Sequence, residues 1–576
     1  MKNRSSEERV QGMVHSLESG ALAHWIRLAL TFAAFLALAL ILLFVRFPGL
    51  SAGEGMDQAQ IAREFARGNG LVSQNIQPID IGFANERGEE TLEGKVPNTY
   101  YAPLWPIVLG STFKLVDFEN WHFGKGNWVY PGDRLVAIVG TIFLLLSFAA
   151  AWVLGWQAFD KRVAWTGVFL MAITPMFWEF AMSGLSQPLV FFLFLLALNT
   201  LFRAVFLQTE EQKKGILFWL IATAVLMGLS TLAHGLVFWA MLAVLIFVAL
   251  AFSHRRWMAG VMLVVYLAVL TPWFLHNQAV FGNPFGKGIF SIYEGVRGSV
   301  GVLFSQVNPE LGNVPFGGLL RKTVTGVVDQ FSSMLALQGG ILLVPFFLLA
   351  LLHAFRRPAT GLFRWGIFLI WLSLIFGMGL FGRADKALSV NQLQFLVTPL
   401  FIFYAIALMF VMTTRFSSYS KLIRIAMLVI VFALASAPMI NMLFFNRQRF
   451  EYPPYLPPSI VIMGQLTEPD ENVSADISWA VAWYADRRTL QIPETPELFT
   501  EISDFRRIGG PIAGLLITPY SANSPMLLEV MQGRWKPWSA YISRSNPNLR
   551  NFPCPVPITL PPENQYLGLF DRKRWQ

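Results

Sequence analysis

Residues 23–47 read AHWIRLALTFAAFLALALILLFVRF, and only Arg27 and Arg46 among them carry a charge. A run of about 20 apolar residues is long enough to cross the hydrocarbon core of a membrane as a helix. This run exceeds the apolar core of a secretory signal peptide, and no clear small-residue cleavage site follows it. It therefore predicts an uncleaved membrane-spanning helix.

The rest of the chain has the same character. Of its 576 residues, 55% are hydrophobic and 14% are charged, with a mean hydropathy of +0.50, whereas about a quarter of the residues of soluble domains are charged. This composition excludes one large soluble enzyme. Further apolar runs begin near Arg134, Val163, Leu185, Gly215, Gly235, Trp257, Met334, Phe363, Leu388 and Lys421. The sequence predicts a polytopic α-helical membrane protein with about eleven transmembrane helices.

Basic residues predict the orientation of these spans. If the amino terminus is cytoplasmic, every loop on that side is basic, as the positive-inside rule requires. The basic residues of these loops are Lys2, Arg4, Arg9, Lys161, Arg162, Lys213, Lys214, Arg255, Arg256, Arg356, Arg357, Arg364, Arg415, Lys421 and Arg424. An odd number of spans places the carboxyl terminus outside, and we expect a bacterial inner or plasma membrane. The basic loops on the cytoplasmic side of the membrane thus explain the net charge of +9, and we predict membrane lipids and no nucleic acid as partners.

Three polar segments are too long to be simple connections, and all fall on the predicted outer side. They are residues 48–133, residues 277–333 and everything after residue 445. Loops on a rigid scaffold often carry function, so we expect the chemistry there. We predict a membrane domain over 1–453, which includes the first two segments, and a small extracytoplasmic α/β domain over 454–576. For the second domain the pattern predicts strands at 461–463, 489–492 and 514–518 and helices at 477–485, 496–507 and 525–531.

An acidic pair follows the first span. Glu54 and Asp57 lie three residues apart beside Met56–Arg67, a segment with helical spacing of its apolar residues that Gly68 or Gly70 can end. If that helix begins early enough, the two carboxylates share a face and shift each other's pKa. Two roles are open for Asp57: it caps the helix, or it acts as a general base towards a hydroxyl acceptor.

Aromatic residues close the same outer segment. Tyr100–Pro106, YYAPLWP, leads into the apolar stretch Ile107–Val116, which is too short to cross a membrane. Aromatic side chains favour the headgroup region, so we expect this stretch to lie in the membrane interface. Tyr100 and Tyr101 are candidates for substrate contact.

Five stretches resemble the GT-C class of membrane glycosyltransferases, in particular glycosyltransferase family 39 with its aminoarabinose-transferase-like and protein O-mannosyltransferase-like members. In chain order they are the acidic pair with AQIAREFARGNGL (59–71), YYAPLWPIVLGSTFKL (100–115), ITPMFWEFAMSGLSQPLVFFLFLLAL (173–198), TPWFLHNQAVFGNPF (271–285) and AVAWYADRRTLQIP (480–493). The resemblance covers nearly the whole chain, and the order of the motifs is more specific than any one of them.

The resemblance implies an enzyme that moves a sugar from a polyprenyl-phosphate donor to a hydroxyl group of a glycan, lipid or protein acceptor on the extracytoplasmic side. Inversion at the anomeric carbon is implied as well. In that class an acidic residue of the first outer loop is the catalytic base, and the matching candidates here are Asp57 and Glu54. Asp57 is favoured because a related subgroup has a Met-Asp pair like Met56-Asp57, although Glu54 stands at the usual acidic position.

Several charged positions of the family carry uncharged residues here. Gln187 stands where Glu is common, and His234, His276 and Gln394 stand where Arg is common. Each is a candidate for substrate contact, but His234 lies in a very short turn suited to a structural hydrogen bond. His276 can instead interact with a helix C-terminus.

Other groups must then stabilise a leaving phosphate if the protein is an enzyme. Arg383 and Lys386, in a predicted outer loop, are the candidate cations. Glu179 is a further substrate-binding candidate because an acidic residue near membrane depth is costly to keep, although it could also lie in water.

The sequence predicts no metal site and no firm cofactor. No His or carboxylate cluster has metal-ligand spacing, and Cys554 is the single cysteine, so a divalent cation is possible only through residues distant in sequence. Two other functions stay open: a catalytically silent relative that binds polyprenyl-linked glycans or scaffolds an assembly, and a secondary transporter. The transporter is disfavoured because the spans show few internal charges and no paired halves.

Overall fold

The computed structural model describes most of the chain. The residues described are 21–88, 92, 96–121, 123, 129–212, 214–252, 256–296, 303–309, 314–337, 340–382, 389–414, 420–445, 456–504, 508–518, 533, 535–542, 551–560 and 566–574. Two compact units divide the chain, Met1–Phe47 and Pro48–Gln576. The first holds helix α1, Ala21–Ile41, which continues as a π-helical turn, Leu42–Arg46.

The second unit is mainly helical. Its helices are α2 (Gly53–Arg67), α3 (Pro78–Glu86), α4 (Leu104–Phe113), α5 (Pro131–Ala158), α6 (Lys161–Ala172), α7 (Pro175–Met182), α8 (Gln187–Thr209), α9 (Ile216–Ala233), α10 (Val237–Ala251), α11 (Trp257–Phe281), α12 (Phe316–Leu337), α13 (Gly340–Leu352), α14 (Pro358–Phe381), α15 (Thr398–Thr414), α16 (Ser420–Ile440), α17 (Pro457–Leu466), α18 (Ser478–Ala480), α19 (Pro496–Asp504) and α20 (Ser539–Ile542). Short 3₁₀ or π-helical turns cover Lys287–Ile292, Leu303–Ser305, Gln394–Leu396, Asn441–Phe445, Val481–Ala485 and Lys536–Trp538.

The helices confirm the prediction of a polytopic membrane protein. Within the described residues, 7 helices are long and apolar enough to cross a membrane, or up to 8 if the bent pair α6 and α7 is one span. The bend of 59° follows from Pro175, because proline disfavours a helical conformation at the preceding residue. Each of the predicted apolar runs overlaps a helix, but α6, α10, α13 and α15 have only 12, 15, 13 and 17 residues. The predicted number of about eleven spans therefore exceeds the 7 or 8 that helix length and composition support among the described residues.

Five of the six strands of the main sheet come from the carboxyl-terminal region of the chain. The strands are β1 (Val72–Ser73), β2 (Asn75–Ile76), β3 (Val96–Pro97), β4 (Asn472–Ala475), β5 (Arg488–Gln491), β6 (Ile512–Ile517), β7 (Val556–Leu560) and β8 (Tyr566–Phe570). The sheet has the order β2-β5-β4-β6-β8-β7, with parallel pairs up to β6 and antiparallel pairs beyond it. β1 and β3 form a separate antiparallel pair.

The predicted strands at 489–492 and 514–518 are confirmed, and the predicted helices at 477–485 and 496–507 overlap observed ones. The strand predicted at 461–463 is wrong, since these residues lie in α17. The helix predicted at 525–531 lies outside the described residues. Because β2 comes from the 48–133 segment, the sheet draws on both predicted domains, and the boundary at 453/454 stays a prediction.

Two arginines of α2 tie it to the carboxyl-terminal region. The Arg63 guanidinium donates to the carbonyl oxygens of Trp483 and Ala482 at 2.9 and 2.6 Å and pairs with Asp486 at 2.8 Å. Arg67 also pairs with Asp486, at 2.7 Å. Burial by itself would raise the pKa of Asp486, but the charges of the two arginines hold it well below its usual range.

Close packing of α3 leads to a stability prediction at Gly82. A Cβ atom there would lie 1.8 Å from the carbonyl oxygen of Val307, so Gly82→Ala forces two backbones apart. We expect a loss of about 1–3 kcal/mol, as for other overpacked sites, read as a lower unfolding temperature of the purified protein. The matched control is Gly361→Ala in α14, where a Cβ meets nothing within 4 Å. Equal shifts for the two variants would contradict this packing.

Candidate active site

Asp57 lies inside the protein on α2. The helix begins at Gly53 with Ala52 as its N-cap, so Asp57 stands in the second turn and does not cap the helix. Its side chain is buried, and its Oδ1 accepts a hydrogen bond from Gln60 Nε2 at 3.1 Å. The same Gln60 nitrogen donates to Ser73 Oγ at 2.7 Å. Asp57 therefore does not have the helix-capping role that the sequence left open.

The surroundings of Asp57 raise the affinity of its carboxylate for a proton. Burial raises the pKa of its carboxyl group above the usual value. Side-chain hydrogen bonds with Gln60, Tyr101 and Asn75, and the positive charge of Lys287, offset part of that rise. Such a carboxylate binds a proton more readily than an exposed one, which suits a group that must accept a proton from a reacting hydroxyl.

Asp57 faces a small polar pocket of about 20 Å³. Ser73, Asn75 and Asn98 contribute polar groups to its lining. Lys287 also lines it and is the only basic residue among the described lining residues. We call this space the Asp57 pocket.

A larger apolar cavity of about 520 Å³ adjoins this pocket. It lies at the ends of α9 and α10 and along the second half of α11, and its lining includes Trp239, Tyr266, Leu270, Trp273, Phe274 and Phe285. Thr99, Tyr100 and Tyr101 line both spaces. The three residues thus form the boundary between the apolar cavity and the Asp57 pocket.

The predicted substrate-binding tyrosines stand at this boundary. Burial raises the pKa of both Tyr100 and Tyr101, and nearby carboxylates raise it further. The main-chain groups of Tyr101 exchange two hydrogen bonds with the Asn98 amide, at 2.8 and 3.0 Å, which fix its backbone. The two rings meet edge to face, with centroids 4.8 Å apart.

Glu54 differs from Asp57 although both lie on α2. The helix begins early enough to include both residues, but the Glu54 side chain is exposed whereas that of Asp57 is buried. Glu54 still acts electrostatically on Tyr100 and Tyr101. Both residues therefore belong to the neighbourhood of the boundary, and Asp57 alone of the two lines the Asp57 pocket.

Gln187 and His234 converge on one main-chain group. Gln187 Nε2 and His234 Nε2 lie 2.6 and 2.7 Å from the carbonyl oxygen of Val390. His234 also lines the apolar cavity, as Val390 does. These contacts position the 389–391 segment at the cavity, and direct contact of either side chain with a substrate stays a prediction.

The other predicted contact residues are not part of the described lining of the apolar cavity or of the Asp57 pocket. Gln394 is buried and donates to Gln330 Oε1 at 2.7 Å. His276 stacks on Trp273 with ring centroids 5.0 Å apart, and Glu179 is half-buried in α7. None of the three lines the described part of either space. The two predicted cations, Arg383 and Lys386, lie outside the described residues.

Sequence reasoning missed the buried pair formed by Lys287 and Asp80. Lys287 Nζ donates to Asp80 Oδ1 at 2.7 Å, and the two side chains are 8% and 7% exposed. A signal was available, because Lys287 is a basic residue in a loop on the predicted outer side, where the positive-inside rule does not call for one. Its partner lies 207 residues away, which no sequence pattern indicates.

No three His, Cys, Asp or Glu side chains of the described residues come together in a way that could hold a metal ion. The polar groups at Asp57 include one carboxylate, amides and an ammonium group, which is a poor donor set for a divalent cation.

Two solved proteins share this fold. One is the archaeal oligosaccharyltransferase AglB from Archaeoglobus fulgidus, in complex with an inhibitory peptide and a dolichol-phosphate, with a TM-score of 0.55 and 13% identity over 89% of this chain and 72% of that chain. The other is ArnT from Cupriavidus metallidurans bound to undecaprenyl phosphate, with a TM-score of 0.53 and 13% identity over 96% of this chain and 99% of that chain. No protein-family model and no curated protein matches the sequence. The likeness confirms the predicted GT-C-like fold, and function must be argued from the site.

Proposed function

We propose, on the premise of the GT-C fold, that this protein is a membrane glycosyltransferase that moves a sugar from a polyprenyl-phosphate donor to a hydroxyl group. The observation that carries the proposal is that Thr99, Tyr100 and Tyr101 line both the apolar cavity and the Asp57 pocket. The structures of similar fold, with dolichol-phosphate in one and undecaprenyl phosphate in the other, support the choice of donor.

The apolar cavity suits the lipid part of such a donor. A polyprenyl chain gains free energy by leaving water for an apolar lining, at about 25 cal/mol for each Å² buried. A cavity of about 520 Å³ holds only the first isoprene units, so the rest of the chain extends into the bilayer. The charged phosphate and the sugar then lie at the boundary formed by Tyr100 and Tyr101.

Asp57 is the proposed base. The acceptor oxygen attacks the anomeric carbon while its proton passes to the Asp57 carboxylate. The bond from that carbon to the phosphate oxygen breaks, and its electron pair stays on the lipid phosphate. One displacement of this kind inverts the anomeric configuration. Glu54 is the second candidate for the base. Its side chain is exposed and stays hydrated, and a hydrated carboxylate is a weaker base than a buried one.

The site is proposed to face the extracytoplasmic side, with a cytoplasmic amino terminus. The basic residues of the alternate loops support this orientation. A glycan, lipid or protein presented there would supply the acceptor hydroxyl, and the region around the six-stranded sheet would contact it.

Donor turnover tests the proposed function. The purified protein in lipid nanodiscs is incubated with a panel of undecaprenyl-phosphate sugars and a membrane extract as the source of acceptors. We expect release of undecaprenyl phosphate over time from at least one donor. Donor binding without release would contradict an enzymatic role and support the catalytically silent alternative.

The raised pKa of Asp57 predicts the pH dependence of transfer. A base must be ionised, so the rate falls as the pH drops through its pKa, and this fall begins at a higher pH than for an ordinary carboxyl near pH 4. Gln60→Met removes a hydrogen bond that lowers the pKa, so the fall should move to still higher pH. Glu54→Gln is the control and should leave the profile in place. A Gln60→Met profile that moves to lower pH would contradict Asp57 as the titrating base.

A further inference from the structure

Lys287 is a buried cation next to the proposed base. Its side chain is 8% exposed, and its Nζ donates to Asp80 Oδ1 at 2.7 Å. Burying an ammonium group is costly unless it is paired and hydrogen-bonded. The ammonium group carries three N–H donors, and Asp80 accepts from one of them. Among the described residues Asp80 is the one observed acceptor of the ammonium group, so within this part of the chain donors remain for a second acceptor.

The loop before Lys287 is built to hold it in place. Gly286 has a φ of +65°, a conformation that favours glycine, and a Cβ there would lie 2.3 Å from the carbonyl oxygen of Thr99. The Lys287 main-chain N–H donates to Thr99 Oγ1 at 3.4 Å. Thr99 belongs to the boundary between the two spaces. The backbone of Lys287 is thus fixed against that boundary.

Consecutive residues of this loop face different spaces. Gly288 lines the apolar cavity, whereas Lys287 lines the Asp57 pocket. A molecule with an apolar chain and an anionic head, placed with its chain in the cavity, brings its head to this point. The carboxylate of Asp57 alone would repel such an anion, and a cation is required to hold it.

Resting on the proposed function, we propose that Lys287 contacts the phosphate of the polyprenyl donor and that Asp80 positions its ammonium group. Lys287 would then replace the arginines that the sequence lacks at His234, His276 and Gln394. As the bond between the anomeric carbon and the phosphate oxygen breaks, negative charge grows on the phosphate, and the ammonium group stabilises it without giving up a proton.

The test compares lipid binding by two variants in nanodiscs. Lys287→Met alone would leave the buried Asp80 carboxylate without its cation and, among the described residues, with only the hydrogen bond from the Gln77 main-chain N–H. The charge is therefore removed in the double variant Asp80→Asn/Lys287→Met, which leaves a neutral pair. Asp80→Asn alone keeps the ammonium group and serves as the matched control. The probes are undecaprenyl phosphate and undecaprenol, which share the chain and differ in the phosphate, and the unfolding temperature of each variant monitors the fold.

We expect the double variant to bind undecaprenyl phosphate about 10- to 100-fold more weakly than the wild type, as for loss of a hydrogen bond to a charged group. Its binding of undecaprenol should be unchanged. Asp80→Asn keeps the cation and loses only the carboxylate that positions it, so it should bind undecaprenyl phosphate more weakly than the wild type and more tightly than the double variant. Equal binding of undecaprenyl phosphate by the wild type and the double variant would overturn the role of Lys287. So would a parallel loss of undecaprenol binding, because the change would then lie in the cavity. A wild type that binds undecaprenyl phosphate no better than undecaprenol would instead count against the proposed function itself.

Discussion

Asp57→Asn is expected to lower the rate of sugar transfer by about 10²- to 10⁴-fold, the usual contribution of a general base. The amide has the shape of the carboxylate and retains an oxygen that accepts from Gln60, so the buried site should keep its geometry. Asparagine cannot take up the acceptor proton at neutral pH. The measurement is release of undecaprenyl phosphate at saturating donor, together with donor affinity, which should change little.

Glu54→Gln is the matched control for this result. It removes the carboxylate three residues before Asp57 on α2, at an exposed site, and should lower the rate by no more than a few-fold. If Glu54→Gln abolishes transfer and Asp57→Asn leaves it intact, the base is Glu54. If both variants and their combination retain full transfer, neither carboxylate acts as the base.

Arg63→Met is expected to destabilise the region that holds the candidate site. The Arg63 side chain is buried, and its loss leaves the carbonyl oxygens of Trp483 and Ala482 without the two donors that they now have. Each unsatisfied buried acceptor costs about 1–3 kcal/mol, so we expect a loss of about 2–6 kcal/mol for the two. The measurement is the unfolding temperature of the purified protein, with limited proteolysis to locate the loosened segment.

The Arg67→Met variant shows how much of the stability lost in Arg63→Met comes from the buried carbonyl contacts and how much from the lost positive charge. Arg67 pairs with the same Asp486, with Glu119 and with Glu64, but its side chain is 21% exposed, against 3% for Arg63, and Glu119 is 53% exposed. Such partly exposed pairs contribute at most about 1 kcal/mol. Comparable losses for Arg63→Met and Arg67→Met would contradict the role of the buried carbonyl contacts.

The local features of α2 could be predicted from the sequence because short-range chemistry sets them. The helix over Met56–Arg67 is confirmed, with a start three residues earlier, and it ends at Gly68, whose φ of 89° suits glycine. The sequence left capping open for Asp57, and the earlier start decides against it. A difference of three residues in where the helix begins thus decides whether the Asp57 carboxylate caps the helix or is available for chemistry.

Features that depend on distant residues could not be predicted. The two residues of β2 join the sheet through β5, more than 400 positions along the chain. The pairing of Lys287 with Asp80 belongs to the same class. Each of these contacts becomes visible only once the chain is folded. The wrong strand at Val461–Met463 is a different case with a local cause: its β-branched residues favour a strand, but the neighbouring Pro457 and Pro458 open a helix, as proline does at the first helical positions.

The central claim is that a lipid-linked phosphate lies where the apolar cavity meets the Asp57 pocket. A cryo-electron microscopy structure of the protein with undecaprenyl phosphate tests it most directly, since no acceptor is needed. We predict density for the isoprenoid chain in the cavity beside Trp239 and Leu270, and the phosphate at Tyr100 and Tyr101 within reach of Asp57. A phosphate bound elsewhere, with this cavity empty, would contradict the account.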